Sequence, residues 1–495
     1  MQVWSAAIVC VTALAALPGC RATETGQPQS GSAVLRVGVA GLSPTNPGAG
    51  LRQLGQILSV EGLARVREDG RAEPSLAEAW NFAPDGRTLS VRLKSGIKFQ
   101  DGSPLTPDTV AKVLKSSMAE WFGPIADDVE QVSAAGSNAV DIRIRRRSTF
   151  LIEALEAPIS KPGSSIGTGP FAAVPGSTSE LRANADYYGG RPVISEIHVE
   201  NFPAVRTAWA KLLRDELDML YEVNADALSS LEHSANVAVF TFTRRYQYAL
   251  ALNKKSEALR PVEVRRALNI ALDRAKVVSV ALNGHGVPSS SPLWPRYWAV
   301  DQRMIEGHQI DPAAAAKLLN GGRAASPKRA ALRFRLLIVP DAVYERIALE
   351  VKRQLEAVGV EMEVQAAPPD QLGDAIQRGT YDAVLTDAVS GPTLIRPYGL
   401  WHSNMPGNPG TYGNRAVDEA FDAVRSAETD PAYRMAVANL DRAFADDPPA
   451  IFLAWSVRAR AVSKRFDVQG EEGRDVLSTL RFWKPTSGRQ QASRN

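Results

Sequence analysis

The sequence predicts an α/β protein with a parallel sheet. The apolar spacing of residues 332–385 indicates a strand, a helix, a strand, a helix and a strand in succession. Residues 88–93 alternate apolar and polar side chains, which is typical of a half-buried strand. Short apolar runs at 34–40 and 450–457 have the composition of buried strands. Because successive strand–helix–strand units favour right-handed crossovers, the middle of the chain is expected to form a parallel sheet.

The first elements are indicated by local signals. The folded part of the chain is predicted to begin with the strand VLRVGVA at 34–40. The turn PDG at 84–86 precedes the alternating strand TLSVRL at 88–93. Thr106 then has the character of a helix N-cap, and Pro107 suits the first helical position.

The central elements follow in the order that a parallel sheet requires. LRFRLLIV at 332–339 is a continuous apolar run, and a helix is predicted from Val343 to the capping glycine Gly359. A further strand and helix lead to the strand YDAVL at 381–385. Ligands of such sheets bind beyond the carboxyl ends of the strands. The segment TDAVSGPTLIRPYGLWHS at 386–403 is therefore predicted to be a loop that holds the ligand.

Composition limits the class of protein. A chain of 495 residues has the length of two or three domains. It is 44% hydrophobic and 22% charged, as expected of a globular protein. Lysine and arginine number 57 against 54 aspartate and glutamate residues, a formal net charge of +3. This balance gives no reason to expect nucleic acid as a partner.

The N-terminus has the pattern of an export signal. Residues 3–17 carry no charge, are too short to span a bilayer comfortably, and lead to LPGC at 17–20. LPGC resembles a bacterial lipobox, which implies a signal peptide over 1–19, a lipid on Cys20 and a flexible tether over 20–33. The alternative is a buried N-terminal helix, because Met1 and Gln2 supply no basic charge.

Motifs for catalysis are weak. GSSIG at 163–167 matches the G-x-S-x-G pattern of serine hydrolases, but Pro162 and Pro170 flank it and disfavour the required strand–turn–helix. Once Cys10 leaves with the signal and Cys20 is acylated, the chain has no thiol nucleophile. The five histidines are scattered, so a metal site made by the protein alone is not expected. Since the other motifs are weak, no cofactor or catalytic residue is expected either.

Several side chains are candidates for a binding site. Trp294 and Tyr297 lie in a proline-rich loop, where they either pack in the core or line a ligand cavity. Trp401 and Arg396 lie in the predicted ligand segment. Arg396 suits the anionic end of a ligand, although a structural ion pair is an equal alternative.

Several longer blocks of the sequence are informative together. They are PSLAEAWNFAPDGRTLSVRLKSGIKFQDGSPLT at 74–106, IGTGPF at 166–171, NADYYGGRPVISEIHVE at 184–200, VRRALNIALDRAKVVSVALNGHGVP at 264–288, DPAAAAKLLN at 311–320 and VKRQLEAVGVEMEV at 351–364. These blocks resemble the bacterial extracytoplasmic solute-binding proteins of family 5, which serve peptide-, nickel- and related ABC importers. The matches are in the family's order and the resemblance spans residues 34–483, which is more specific than any single motif.

The resemblance implies a two-lobed, periplasmic-binding-protein-like fold of type II, with a hinge between the lobes. Lobe I would comprise residues 34–247, including an extra β-rich subdomain, and lobe II would comprise residues 248–453. A C-terminal segment over 454–485 would return to lobe I and leave a tail over 486–495. Rotation about such a hinge would close the lobes on a ligand.

The resemblance also implies a function. The chain would be a monomeric, exported, membrane-anchored lipoprotein that faces the periplasm or the cell exterior. It would deliver a small solute, a peptide by default, to an ABC permease in the cytoplasmic membrane, without catalysis and without nucleic acid. Two alternatives remain: a secreted serine hydrolase that uses Ser165, and a surface protein that has the binding fold without a role in transport.

The ligand segment departs from the pattern of peptide binders. Those relatives carry an acidic run after the YDAVL-like strand, and one of its aspartates holds the peptide amine. Gly391 aligns near that aspartate, and Asp387 is the acid that remains. A different small polar or amphipathic ligand is therefore a competitor of peptide. The predicted ligand-binding residues are Asp387, Ser390, Gly391, Arg396, Trp401, Trp294 and Tyr297.

Overall fold

A computed structural model describes residues 33–42, 46, 48–223, 225–301, 310–321, 332–408, 412–471 and 473–486. Cys10 and Cys20, and with them the predicted signal and most of the tether, lie outside these residues. Within these ranges, every helix is too short or too polar to cross a lipid bilayer.

The strands are short except for two that exceed a dozen residues. In chain order they are β1 (Ala33–Ala40), β2 (Glu61–Gly62), β3 (Ala64–Val66), β4 (Ala72–Pro74), β5 (Ala77–Phe82), β6 (Thr88–Leu93), β7 (Val129–Ala135), β8 (Ala139–Ile144), β9 (Pro158–Ile159), β10 (Phe171–Ala173), β11 (Glu180–Ala183), β12 (Ile194–Phe202), β13 (Met219–Val223), β14 (Val237–Leu252), β15 (Gly286–Pro288), β16 (Leu332–Ile338), β17 (Val360–Ala366), β18 (Ala383–Val389), β19 (Ala450–Ser463), β20 (Phe466–Asp467) and β21 (Lys484–Pro485).

The helices occur between these strands and in one pair near the end of lobe II. They are α1 (Ala49–Leu58), α2 (Pro107–Phe122), α3 (Phe150–Ala154), α4 (Val205–Leu213), α5 (Ala225–Glu232), α6 (Val262–Ala271), α7 (Arg274–Ala281), α8 (Pro312–Leu319), α9 (Ala342–Glu356), α10 (Pro369–Arg378), α11 (Ile395–Trp401), α12 (Arg415–Ser426) and α13 (Asp430–Asp446). Two 3-10 helices cover Gly123–Asp128 and Val476–Phe482.

One large sheet runs through both lobes. Its strand order is β10-β11-β12-β1-β13-β19-β14-β18-β16-β17, with β15 also paired to β19. Strand β1 is parallel to β12 and β13, and β16 is parallel to β17 and β18. The antiparallel strands β14 and β19 join these two parallel groups, which confirms the predicted α/β fold with two lobes.

The extra subdomain of lobe I is a four-stranded antiparallel sheet in the order β5-β6-β8-β7, with α2 packed against it. Leu89, Val91 and Leu93 of β6 are buried, as the alternation predicts. The hydroxyl of Thr106 accepts a hydrogen bond from the backbone N–H of Thr109 (3.2 Å), which confirms the predicted N-cap of α2.

The predicted lobe boundaries fall inside long strands. The boundary after residue 247 lies in β14, and the boundary after residue 453 lies in β19. The β14–β19 ladder is irregular between Thr243 and Gln247 and again between Tyr248 and Ala249. The two predicted crossings thus lie in adjacent strands whose pairing is interrupted between Thr243 and Ala249.

One predicted boundary is wrong. The last central strand extends to Val389, not to residue 385, because residues 383–389 pair with residues 246–252 of β14. The predicted loop at 386–403 therefore comprises the end of β18, a connection and helix α11. This extension depends on pairing with a strand that is more than a hundred residues away in the sequence, so the local pattern YDAVLTDAV does not reveal it.

Candidate ligand-binding site

The end of β18 divides the predicted site residues between two faces of the sheet. Asp387 accepts a hydrogen bond from the hydroxyl of Tyr344 (2.6 Å) and lines a cavity of about 280 Å³ on one face. Ser390 lines a different cavity, of about 220 Å³, together with Thr386 and Ala388. Alternation along the strand causes this separation, so the structure does not bring Asp387 to the other predicted residues.

The connection after β18 is fixed by the crossing strand. The backbone N–H groups of Ser390 and Gly391 both donate to the carbonyl oxygen of Arg245, at 2.8 and 3.2 Å. Gly391 lies against the rings of Trp294 and Trp455, which form an edge-on pair with centroids 4.8 Å apart. An added Cβ at Gly391 would lie 2.4 Å from the Trp294 ring, so this approach requires glycine.

Two arginines and one carboxylate meet where the lobes join. Arg245 donates to both carboxylate oxygens of Glu156, at 2.8 and 3.0 Å. The Arg396 guanidinium stacks over Phe122, 4.7 Å from the ring centroid, and it forms no salt bridge within the described residues. Burial lowers the pKa of Arg396, Glu156 raises it, and Arg245 lowers it. The group therefore has an excess of one positive charge.

The cavity of about 220 Å³ is an apolar slot between the sheet and α11. Small side chains on β14 and β18 form its floor, and Trp401 and Phe452 close it. Ser390 Oγ, Trp401 Nε1 and Tyr381 Oη are buried here and have no hydrogen-bond partner in the described part of the protein. Unpaired buried polar groups are costly, so a cavity that collects three of them is suited to a ligand.

A second contact between the lobes is centred on a buried acid. Glu153 of α3 is 8% exposed and accepts a hydrogen bond from the backbone N–H of Ile395 (3.0 Å). Burial raises the pKa of Glu153 to about 8, against the lowering effects of the Thr393 hydroxyl, the backbone N–H groups of α11 and the Tyr433 hydroxyl. Tyr297 lies beside it, hydrogen-bonded to Tyr433, at a separate cavity of about 300 Å³.

Apart from Asp387, which lies on the other face of the sheet, the predicted residues are distributed over four places. Ser390 and Trp401 line the slot, Gly391 and Trp294 pack together, Arg396 lies at the joint of the lobes, and Tyr297 lies near Glu153. Sequence reasoning missed Arg245, Glu156, Glu153 and Tyr381. Arg245 lies three residues before Tyr248, where lobe II is predicted to begin, and this position is the one signal that could have identified it.

Other candidate chemistry is not assembled into a site. Ser165 is exposed in the loop between β9 and β10, without the following helix that a nucleophile elbow needs. Within the residues that the structure describes, no group of three or more His, Cys, Asp or Glu side chains is placed to hold a metal ion.

Comparison with known proteins identifies the family. The model for "Bacterial extracellular solute-binding proteins, family 5 Middle" matches residues 71–407. The chain belongs to this family. Two curated relatives match most of the chain. The oligopeptide-binding protein AppA of Bacillus subtilis is 24% identical over 463 residues, which is 85% of each chain. Protein XP55 of Streptomyces lividans is 27% identical over 473 residues, 87% of this chain and 85% of the relative.

Solved structures show the same fold as this family 5 protein. AppA of B. subtilis in complex with a nonapeptide has a TM-score of 0.72 at 21% identity, over 92% of this chain and 99% of AppA. NikZ of Campylobacter jejuni in complex with Ni(L-His) has a TM-score of 0.75 at 20% identity, over 92% of this chain and all of NikZ. The same fold therefore holds chemically different ligands.

Proposed function

We propose that this family 5 protein captures a small solute between its lobes and delivers it to an ABC permease as a lipid-anchored, extracytoplasmic protein. The anchor would be the lipid on Cys20. Closure of the lobes would create the form that the permease recognises, because contacts to both lobes favour the closed state. No covalent chemistry is needed for this function, and the protein is proposed not to be an enzyme.

The observation that carries the proposal is the unpaired positive charge at the joint of the lobes. Arg396 belongs to lobe II and stacks on Phe122 of lobe I. The neighbouring Arg245 already occupies the carboxylate of Glu156. An anionic group of a solute placed here would contact both lobes and satisfy the Arg396 guanidinium with charge-assisted hydrogen bonds.

Peptide remains the default ligand because AppA binds peptide, but the amine-binding group has no evident replacement. Asp387 lies on the face of β18 opposite to the slot side, where it accepts a hydrogen bond from the Tyr344 hydroxyl. Glu156 forms a salt bridge with Arg245, and Glu153 already accepts hydrogen bonds from other groups of the protein. An anionic, non-peptide solute therefore fits the described groups at least as well as a peptide amine does.

Native mass spectrometry of the protein purified gently from its cells tests the proposal. We expect a stoichiometric small-molecule adduct, whose fragmentation distinguishes a peptide from another acid. Re-addition of the identified compound should raise the Tm of the stripped protein. A clean unliganded mass that no peptide or small acid shifts or stabilises would contradict solute capture. It would favour a surface protein without a transport role.

The hydrolase alternative has its own readout. A nucleophilic Ser165 would be labelled by a serine-directed phosphonate and would turn over ester substrates. We expect neither, because Ser165 is exposed in a loop without a nucleophile elbow. Stoichiometric labelling of Ser165 would overturn the assignment as a non-catalytic protein.

A further inference from the structure

We propose that the slot beneath α11 receives an uncharged, apolar arm of the solute, one or two rings in size, that carries a hydrogen-bond acceptor. This inference rests on the proposed function, since the anionic end of the same solute would lie at Arg396. It adds a substrate class: an amphipathic organic acid with an aromatic arm.

The walls of the slot exclude charge. The strands contribute Ala249, Ala251, Val384, Thr386 and Ala388, and these small side chains leave the space open. The surrounding side chains are aromatic or aliphatic, apart from Gln247 and Ser390, and no acidic or basic residue of the described chain lines the slot. Because an isolated charge is costly to bury, the occupant must be uncharged within the slot.

The polar atoms of the slot specify an acceptor. Ser390, Trp401 and Tyr381 are each at most 4% exposed, and their side-chain donors have no partner within the described residues. The indole N–H of Trp401 can only donate. A buried donor that is left unpaired costs roughly 1–3 kcal/mol. A carbonyl or ether oxygen of the ligand would accept a hydrogen bond from the indole N–H and avoid this cost.

The volume suits part of a ligand. An engineered apolar cavity of roughly 150 Å³ holds a benzene molecule. Pockets that enclose a whole drug-sized ligand span roughly 300–1,000 Å³. At about 220 Å³, the slot lies between these sizes and is suited to one or two rings.

The slot and the joint of the lobes are linked through the connection at Ser390 and Gly391. Ser390 supplies a hydroxyl to the slot, and its backbone N–H is bonded to the carbonyl of Arg245, whose side chain meets Glu156. Trp401 and Arg396 belong to the same helix, α11. Five helical positions separate them by about 7.5 Å along the axis, and this is the distance that the arm of a ligand anchored at Arg396 has to span.

Calorimetry with three carboxylates tests the inference: acetate, naphthalene-2-acetate and 6-methoxynaphthalene-2-acetate. We expect the methoxy compound to bind the unaltered protein at least tenfold more tightly than acetate. Ala388→Leu fills the slot and should abolish this gain. The control Val389→Leu, on the opposite face of the same strand, should keep it. Equal affinities of all three acids, no binding of any, or an undiminished gain in Ala388→Leu would overturn the inference.

A second variant separates the acceptor from the apolar volume. Trp401→Phe removes an unpaired N–H, so the Tm of the ligand-free protein should be maintained. The methoxy compound should lose about tenfold in affinity and match its unmethoxylated analogue. An unchanged preference for the methoxy compound would contradict the role of Trp401.

The slot and the proposed function can fail separately. If the Ala388→Leu variant carries the cell-derived adduct as fully as the wild type does, solute capture is supported and the role of the slot is contradicted. If the wild type carries no adduct, solute capture itself is contradicted.

Discussion

The side-chain carboxyl group of Glu153 accepts a hydrogen bond from the backbone N–H of Ile395 across the joint of the two lobes, at 3.0 Å. Glu153 belongs to α3 of lobe I, and Ile395 begins α11 of lobe II. The same helix carries Arg396 and Trp401. A buried acidic side chain of lobe I is therefore hydrogen-bonded to α11, the helix of lobe II that carries these two candidate ligand-binding residues.

This contact predicts a pH-dependent stability. The pKa of Glu153 is about 8 in the fold, against a usual value of 4.5, because the side chain is buried. Between these values the folded state binds more protons, so a rise in pH favours unfolding. Glu153→Gln should remove this component and reduce the loss of unfolding free energy between pH 5 and 8.5 by on the order of 3 kcal/mol.

Urea denaturation at the two pH values measures the effect. Glu120→Gln, at an exposed position of α2, serves as the control and should retain the wild-type dependence. A Glu153→Gln protein with the same pH dependence as wild type would show that Glu153 is ionised in the fold.

Arg396 should be needed for binding of the solute. Arg396→Gln keeps a polar side chain but removes the charge, and we expect at least a tenfold loss of affinity for the co-purified compound, about 1.5 kcal/mol or more. The occupied fraction in native mass spectra reports the loss. Arg434→Gln, an exposed arginine near Trp298, should bind normally. Full occupancy in Arg396→Gln would move the anion site elsewhere.

Gly391 should be far less tolerant of substitution than its neighbour Gly399. A Cβ at Gly391 would lie 2.4 Å from Trp294 and 3.0 Å from Trp455, so Gly391→Ala should cost about 1–3 kcal/mol. A Cβ at Gly399, in α11, meets no atom of the described residues within 4 Å. Gly399→Ala should be neutral or stabilising by about 0.5–1 kcal/mol. Thermal unfolding of both variants compares them, and equal Tm values would refute the packing argument.

Cys20 should attach the protein to the membrane. In cells, Cys20→Ala should prevent lipidation and move the protein from the membrane fraction to the soluble fraction. Cys10→Ala, within the apolar run before the cleavage site, should leave attachment intact. Immunoblots of fractionated cells give the answer. Membrane retention of Cys20→Ala with the mass of the wild type would disprove the lipobox.

Local patterns were sufficient for much of the fold. The alternation in β6 and the N-cap at Thr106 depend on neighbouring residues, and both predictions are confirmed. The helix before Gly359 is also confirmed, and Gly359 has a φ of 83°, a conformation that glycine adopts without strain.

The site depends on contacts between distant parts of the chain. Arg245 and Glu156 are 89 positions apart, and Glu153 and Ile395 are 242 apart. The face on which Asp387 lies was not predictable, because the extension of β18 depends on its pairing with β14. Local periodicity carries no information about such pairs.

The molecule is expected to bend most easily at the interruption in the ladder between β14 and β19. A sheet bends most easily where pairs of N–H and C=O groups are already missing, and here those gaps lie between Thr243 and Ala249. Arg245 lies within this stretch and holds the Ser390–Gly391 connection by its carbonyl. We therefore expect bending at the crossing to displace the Ser390–Gly391 connection, so that a mutation that stiffens the crossing should alter solute affinity without contacting the solute.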